Sequence, residues 1–221
     1  MASVFDIIGP VMVGPSSSHT AGAVNIGRVA RQVFGCEPNR VDITLYGSFA
    51  KTHKGHGTDR ALVGGVLEMA TNDSRIKNAL NIARQKGIMV NFIIEGDHPY
   101  HPNTAKIDIY SYGQHTQIIG ISIGGGRISI KEIDGFEVDI SGEYHAVICS
   151  YDERLGMVAR ISSILALEHI NIAFMRVSRC ENREKAIMVI ESDQRITEGV
   201  LKRINDLKSI SHVKHISKIE F

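Results

Sequence analysis

The last third of the chain switches between two hydrophobic periods in an order that few folds satisfy. His145 to Ser150 (HAVICS) reads as a short strand. From Arg154 to His169, the residues Leu155, Val158, Ile161, Ser162 and Leu165 fall near helical spacing. Ile170 to Ser178 (INIAFMRVS) alternates as a strand does, with Ile172, Phe174 and Arg176 on one face. Cys180 to Arg183 is a polar turn, and Ala186 to Glu191 (AIMVIE) is another strand. Thr197 is placed to cap an amphipathic helix that runs to Leu207. Val213 to Ile219 closes the pattern by alternating at Val213, His215 and Ser217. The order βαββαβ within about seventy residues predicts a ferredoxin-like plait.

Composition narrows what accompanies this unit. The chain has 221 residues, 43% of them hydrophobic and 22% charged, enough apolar content for a core. The formal net charge is +1, so no basic excess exists to neutralise nucleic-acid phosphates. No apolar run approaches the ~18 residues of a membrane span. Met1 to Pro10 has no basic segment and carries Asp6, so it does not read as a signal peptide. Three cysteines, Cys36, Cys149 and Cys180, lie far apart without paired spacing. That usage points to a reducing, cytoplasmic setting. It also supplies too few thiolates for a cubane iron–sulfur cluster, which wants about four.

The N-terminal region concentrates polar residues at element ends. Ser16, Ser17, Ser18, His19 and Thr20 precede an apolar helical pattern from Ala21 to Phe34. A serine there caps the helix, and the free N–H groups of its first turn suit a carboxylate or phosphate. His19 in that turn is expected to be neutral under the helix dipole, able to act as base or donor. Val41 to Tyr46 reads as a strand, and Gly47 to Asp59 as a ligand-facing loop holding Lys51, His53, Lys54, His56, Thr58 and Asp59. Ala61 to Ala70 and Arg75 to Lys86 read as helices, and Met89 to Ile94 as a strand. The prolines of Asp97 to Thr104 exclude a central strand there. Ala105–Tyr112, Thr116–Ile123 and Arg127–Ile133 are further strands, with Gly124, Gly125 and Gly126 between the last two. Such a triplet lets backbone approach a ligand closely, but neither a P-loop nor a GxGxxG fingerprint is present. A final strand and a Ser141–Gly142 linker place the boundary between 1–141 and 145–221.

Two resemblances follow from these residues. Ser150-Tyr-Asp-Glu-Arg-Leu-Gly156, then a helix, then Ile170-Asn171-Ile172, resembles an ACT domain. The resemblance implies an effector pocket at Asp152, Arg154, Leu155, Gly156 and Asn171, and side-by-side pairing into a homodimer. The ordered set Gly14-Pro15-Ser16-Ser17-Ser18-His19-Thr20, Tyr46-Gly47-Ser48, Lys54-Gly55-His56-Gly57-Thr58-Asp59, His101-Pro102-Asn103-Thr104 and Ser122-Ile123-Gly124-Gly125-Gly126 resembles the beta subunits of iron–sulfur-dependent L-serine dehydratases. That family implies an α+β chain. Its N-terminal domain is a mixed α/β fold like the allosteric substrate-binding domain of phosphoglycerate dehydrogenases, and its C-terminal part is the ACT domain.

The resemblance also implies chemistry. L-serine is converted to pyruvate and ammonia, a lyase step of amino-acid degradation and gluconeogenesis, on a [4Fe-4S] cluster ligated by a separate alpha subunit. This chain would supply the substrate-facing side. Ser16, Ser17, Ser18, Thr20, Thr58, Asn103, Thr104, Gly124 and Gly125 are expected to bind substrate. His19 or His56 is expected to move a proton, with Asp59 three residues from His56 orienting a histidine or an ammonium group. Other readings stay open. Both domains could form a non-catalytic, amino-acid-binding regulatory protein. The pairs His53/His56 and His98/His101 have the spacing of zinc ligands. Lys51 or Lys54 could in principle carry a pyridoxal Schiff base, though no phosphate cup follows.

Overall fold

The computed structural model describes residues 11–180, 182 and 184–219. The expectations for Met1 to Pro10 lie outside the described residues. The chain divides into two compact units after Asp134.

In the first unit, a π-helical turn (Ser17–Ala21) runs into α1 (Gly22–Phe34). Then come β1 (Arg40–Leu45), α2 (Gly47–His56), α3 (Thr58–Val66), a 3-10 turn (Ser74–Asn78), α4 (Ala79–Gln85), β2 (Met89–Ile94), β3 (Thr104–Ser111), β4 (Gln114–Gly124) and β5 (Arg127–Ile133). The strands line up as β2-β1-β3-β4-β5. β1 and β2 are parallel, so α2, α3 and α4 serve as the crossover that parallel strands need. The other pairs are antiparallel, with Ile43 opposite Ile107 and Ile107 opposite Ile118. The stretch 47–56, expected as a loop, is helical: Gly47 and Gly57 both have positive φ and bound a full helix between them. The single helix expected over 75–86 is a 3-10 turn followed by α4.

Helix α1 is buried over most of its surface because it is covered on both sides, by β4 and β5 and by α3, with Arg28, Arg31 and Gln32 left half-buried at the margin. Val24, Ile26 and Val29 are fully buried, as are Ile43, Leu45, Ile107, Ile109, Ile118 and Ile130 of the sheet. Each such side chain contributes roughly 1.5–3 kcal/mol of burial. The helices α1 and α3 touch backbone to backbone: a Cβ on Gly65 would stand 2.1 Å from the Val24 carbonyl oxygen, and one on Gly27 2.2 Å from that of Leu62. Only glycine at both places permits this approach, which fixes the serine-rich turn before α1 relative to the end of α2 before α3.

The second unit begins with β6 (Phe136–Ile140). It continues through β7 (His145–Asp152), α5 (Met157–Leu167), β8 (Ile172–Arg179), β9 (Lys185–Ser192), α6 (Glu198–Asn205) and β10 (Ile210–Ile216). The sheet order β10-β7-β9-β8, antiparallel throughout, is the ferredoxin-like arrangement. Val147, Cys149, Tyr151, Met188 and Ile190 of the sheet pack with Ile161, Leu165, Val200 and Ile204 of the helices. Thr197 stands at the start of α6, without a side-chain capping bond. Among the described residues no helix is long and apolar enough to cross a membrane.

Candidate functional site

Four segments far apart in sequence meet at the serine-rich turn. Ser16 caps it, accepting from the His19 N–H at 3.1 Å, as a residue at that position is expected to do. The His19 ring is held at both ends: Nδ1 lies 3.2 Å from Ser16 Oγ and Nε2 lies 2.9 Å from Ser48 Oγ. Ser48 is carried on the first turn of α2, where its N–H donates to the Pro102 carbonyl at 2.7 Å. Next to Pro102, Asn103 accepts at its carbonyl from the Ser122 N–H (3.0 Å), and Ser122 Oγ donates to the Ser18 carbonyl at 2.9 Å. The contacts thus close a ring, from Ser18 through Ser122, Asn103 and Ser48 to His19 and Ser16.

Histidine 56, at the end of α2, joins the ring from the side. Its imidazole meets that of His19 edge to face, with centroids 4.8 Å apart, and its carbonyl accepts from Thr20 Oγ1 at 3.2 Å. Burial, and then the imidazole of His56, hold the His19 pKa below 6.5. The expected neutrality of His19 agrees in direction, but burial rather than the helix dipole is the leading cause. Phe49, fully buried, presses its ring against the same imidazole, 5.5 Å between centroids.

Three buried polar atoms around the ring lack a partner: His56 Nδ1, Thr58 Oγ1 and Asn103 Oδ1. Buried polar groups are ordinarily satisfied, so a cluster of exceptions marks a place where something polar binds. A cavity of about 150 Å³ adjoins it, lined by Gly14, Thr20, His56, Gly57, Arg60 and Lys77 among others. Arg60 and Lys77 give that cavity a cationic wall suited to a carboxylate.

The structure therefore gathers Ser16, Ser18, His19, Thr20, His56, Thr58 and Asn103. Gly124, Gly125 and Gly126 all have positive φ, a backbone run suited to glycine alone. A Cβ on Gly124 would stand 3.8 Å from Ser18 Oγ, and the Gly126 carbonyl accepts from Asn25 Nδ2 at 3.0 Å. The triplet thus backs the serine turn. Thr104 is fully buried and its hydroxyl donates to the His101 carbonyl, so it shapes the loop. Asp59 does not bond His56 Nδ1. Its Oδ1 accepts from the Arg60 N–H at 2.8 Å and faces the Arg60 guanidinium at 3.7 Å. Ser48, Ser122 and Arg60 were inside or beside the quoted motifs yet were not among the expected site residues; only the long-range contacts single them out.

Among the described residues no three of His, Cys, Asp or Glu stand together as metal ligands, which leaves the two His-x-x-His pairs without a third donor. His98 instead packs against Tyr46, with centroids 4.7 Å apart. Cys36 and Cys180 are half-buried, and Cys149 is buried with its thiol pushed up to about 12 by desolvation.

In the second unit, Gly156 has φ +86 and stands at the N-terminus of α5, beside Leu155, which is fully exposed. Asp152 and Arg154 are exposed too, and the Asn171 N–H donates to Gln194 Oε1 at 3.1 Å.

Fold and site define an α/β domain built around a hydroxyl–imidazole ring and followed by an ACT domain, whose family model matches residues 145–209. Residues 3–133 match the model of the serine dehydratase beta chain, and the chain belongs to that family. It is 49% identical to the probable L-serine dehydratase beta chain of Bacillus subtilis (strain 168), over 97% of this chain and 98% of that one. It is 39% identical to the L-serine dehydratase beta chain of Peptoniphilus asaccharolyticus, over 97% of each. A D-3-phosphoglycerate dehydrogenase of Methanocaldococcus jannaschii is 29% identical over 87% of this chain but only 36% of its own length. That likeness agrees with the fold expected for the N-terminal domain.

Proposed function

We propose that this chain is the substrate-facing beta subunit of a two-chain L-serine ammonia-lyase that forms pyruvate and ammonia. On this reading the dehydratase beta domain spans 1–141 and the ACT domain 145–221. The observation that carries the reading is the closed ring of hydroxyls and imidazoles, with an unpartnered buried oxygen on Asn103 and an unpartnered buried ring nitrogen on His56 against it.

The residues present do not fit a [4Fe-4S] cluster. Three separated cysteines, one with a thiol that resists ionisation, are no ligand set for it. A cluster serving this reaction would be held by a separate alpha chain.

This chain's own groups account for binding and proton handling. The Ser16–Thr20 turn, with Arg60 and Lys77 beside it, anchors the carboxylate of L-serine. Asp59 Oδ1 is tied to Arg60, and Oδ2 remains to receive the ammonium group. The Cα proton passes to the His19/His56 pair. His19 is kept neutral and oriented by two hydroxyls, as a base must be to accept a proton at neutral pH. Thr58, Asn103 and the Gly124–Gly125 backbone complete the substrate side. The ACT domains pair into a homodimer across edge strand β8, which leaves Phe174 and Val177 exposed. The enzyme works in the cytoplasm.

The test is pyruvate formation from L-serine under anaerobic conditions, with this chain alone and co-expressed with an alpha subunit. Turnover only in the pair is expected. Serine binding to this chain with no turnover in a cluster-loaded pair would instead make it a regulatory protein.

A further inference from the structure

We propose that Asn25 is a positioning residue for the serine reaction: its side chain holds the Gly124–Gly126 turn where that backbone can close on a substrate beside the Ser16–Thr20 turn. The proposal rests on the substrate-facing reading of this chain given above.

Asn25 lies on α1 and is fully buried. Its Nδ2 donates to the Gly126 carbonyl at 3.0 Å, across 101 positions of sequence. A carbonyl only accepts, so the amide nitrogen must face it and Oδ1 must point elsewhere. That oxygen is buried and has no partner. An unpaired buried acceptor costs more than one neutral hydrogen bond contributes, so an apolar side chain of the same size would pack here at least as stably. Stability therefore does not account for the amide. Its hold on Gly126 does.

The turn it holds has no side chains of its own to fix it. Strand β4 ends at Gly124 and β5 begins at Arg127, and these two residues pair, so Gly125 and Gly126 form a two-residue hairpin loop. Both have positive φ, +62 and +81, as a type I′ hairpin turn requires. Glycines that reach such angles freely also reach many others, so the loop needs an outside tie to keep one shape. Asn25 is that tie on the β5 side. On the β4 side Ser122 Oγ donates to the Ser18 carbonyl at 2.9 Å. Gly125 lies half-buried between the two ties, and its peptide is the one left to meet a ligand. Fixing it before substrate arrives lowers the ordering cost of binding.

The experiment compares Asn25→Asp and Asn25→Leu with the parent chain, in the reconstituted two-chain enzyme between about pH 6 and 9, and follows amide hydrogen exchange in the chain alone. The carboxyl introduced by Asn25→Asp donates to Gly126 only while protonated, and burial lifts its pKa toward that window. The ratio of its kcat/KM to that of the parent is expected to fall by about tenfold or more as pH rises across it, through KM. Asn25→Leu keeps the size and has no donor. It should raise KM for L-serine by about tenfold at every pH yet melt no lower than the parent, a combination that a merely structural amide does not produce. In the chain alone, Asn25→Leu should speed exchange at Gly124 and Arg127 by about tenfold and leave α3 unchanged. The proposal is overturned if Asn25→Leu keeps the parent KM, if the Asn25→Asp ratio is flat with pH, or if exchange at the turn does not change. A parent pair without turnover sinks the dehydratase reading instead, and the exchange result still decides whether Asn25 holds the turn.

Discussion

Ser48 Oγ lies 2.9 Å from His19 Nε2, although 29 positions separate the two residues. The contact joins the start of α2 to the turn before α1 and fixes which way the His19 ring points. In the reconstituted two-chain enzyme, His19→Ala should lower kcat by about 10²–10⁴-fold, the usual contribution of a positioned proton-transfer group. Ser48→Ala should lower kcat by less and Ser48→Thr should restore it. Full turnover by His19→Ala would remove His19 from the chemistry.

Burial leads in holding His19, His98, His145 and His215 below their ordinary value of 6.5. Below that value the unfolded chain binds protons that the native chain refuses, so the unfolding free energy rises with pH across that window. Histidine-linked stability is complete above pH 6.5 and is lost as pH falls beneath it. Urea midpoints should hold between about pH 7.5 and 6.5 and fall as the pH is lowered from there to about 5.5. A flat profile would contradict the burial of these rings.

The close crossing of α1 and α3 depends on two glycines. Gly65→Ala puts a methyl group 2.1 Å from the Val24 carbonyl oxygen, a backbone atom that cannot swing aside. The expected cost is about 1–3 kcal/mol, read as a lower urea midpoint at unchanged slope. Because the same crossing sets His56 against His19, turnover should fall as well.

Cys149 is sealed in the ACT core with its thiol pushed up to about 12, whereas Cys36 and Cys180 are half-buried. Alkylation followed by mass spectrometry should leave Cys149 unmodified in the native chain and modified in urea. Prompt native labelling would mean that the β7 core opens readily.

The order of elements in the ACT unit was legible from their periods, but not every face: Leu155 and Val158 are exposed, α5 buries Met157, Ile161 and Leu165 instead, and a register shift between Ile172 and Phe174 turns Phe174 outward while Ile172 packs on the core. The first unit was less so. Gly47 to His56 is full of glycine, lysine and histidine and reads as a loop. It is helical because Gly47 and Gly57 bound it and because Phe49 and Ala50 bury beneath it. Asp59 was expected to serve His56 through nearness in sequence. On a helix start its carboxylate turns to the adjacent Arg60 instead. The ring itself was half visible: its members were grouped by motif, but not Ser48 and Ser122 as the groups that tie the motifs together.

Sequence alone carried the βαββαβ order, the apolar stripe of α1, a capping serine in the Ser16–Ser18 cluster and the family of the chain. All of these depend on residues within a few positions of one another, or on the order of whole motifs. Tertiary structure alone decided that His19 faces Ser48 and His56, that Asn103 and Thr58 keep unpartnered atoms, and that Asn25 holds the Gly126 carbonyl. Each of those arises where segments tens of residues apart exclude water together, and burial of that kind has no local signature in a sequence.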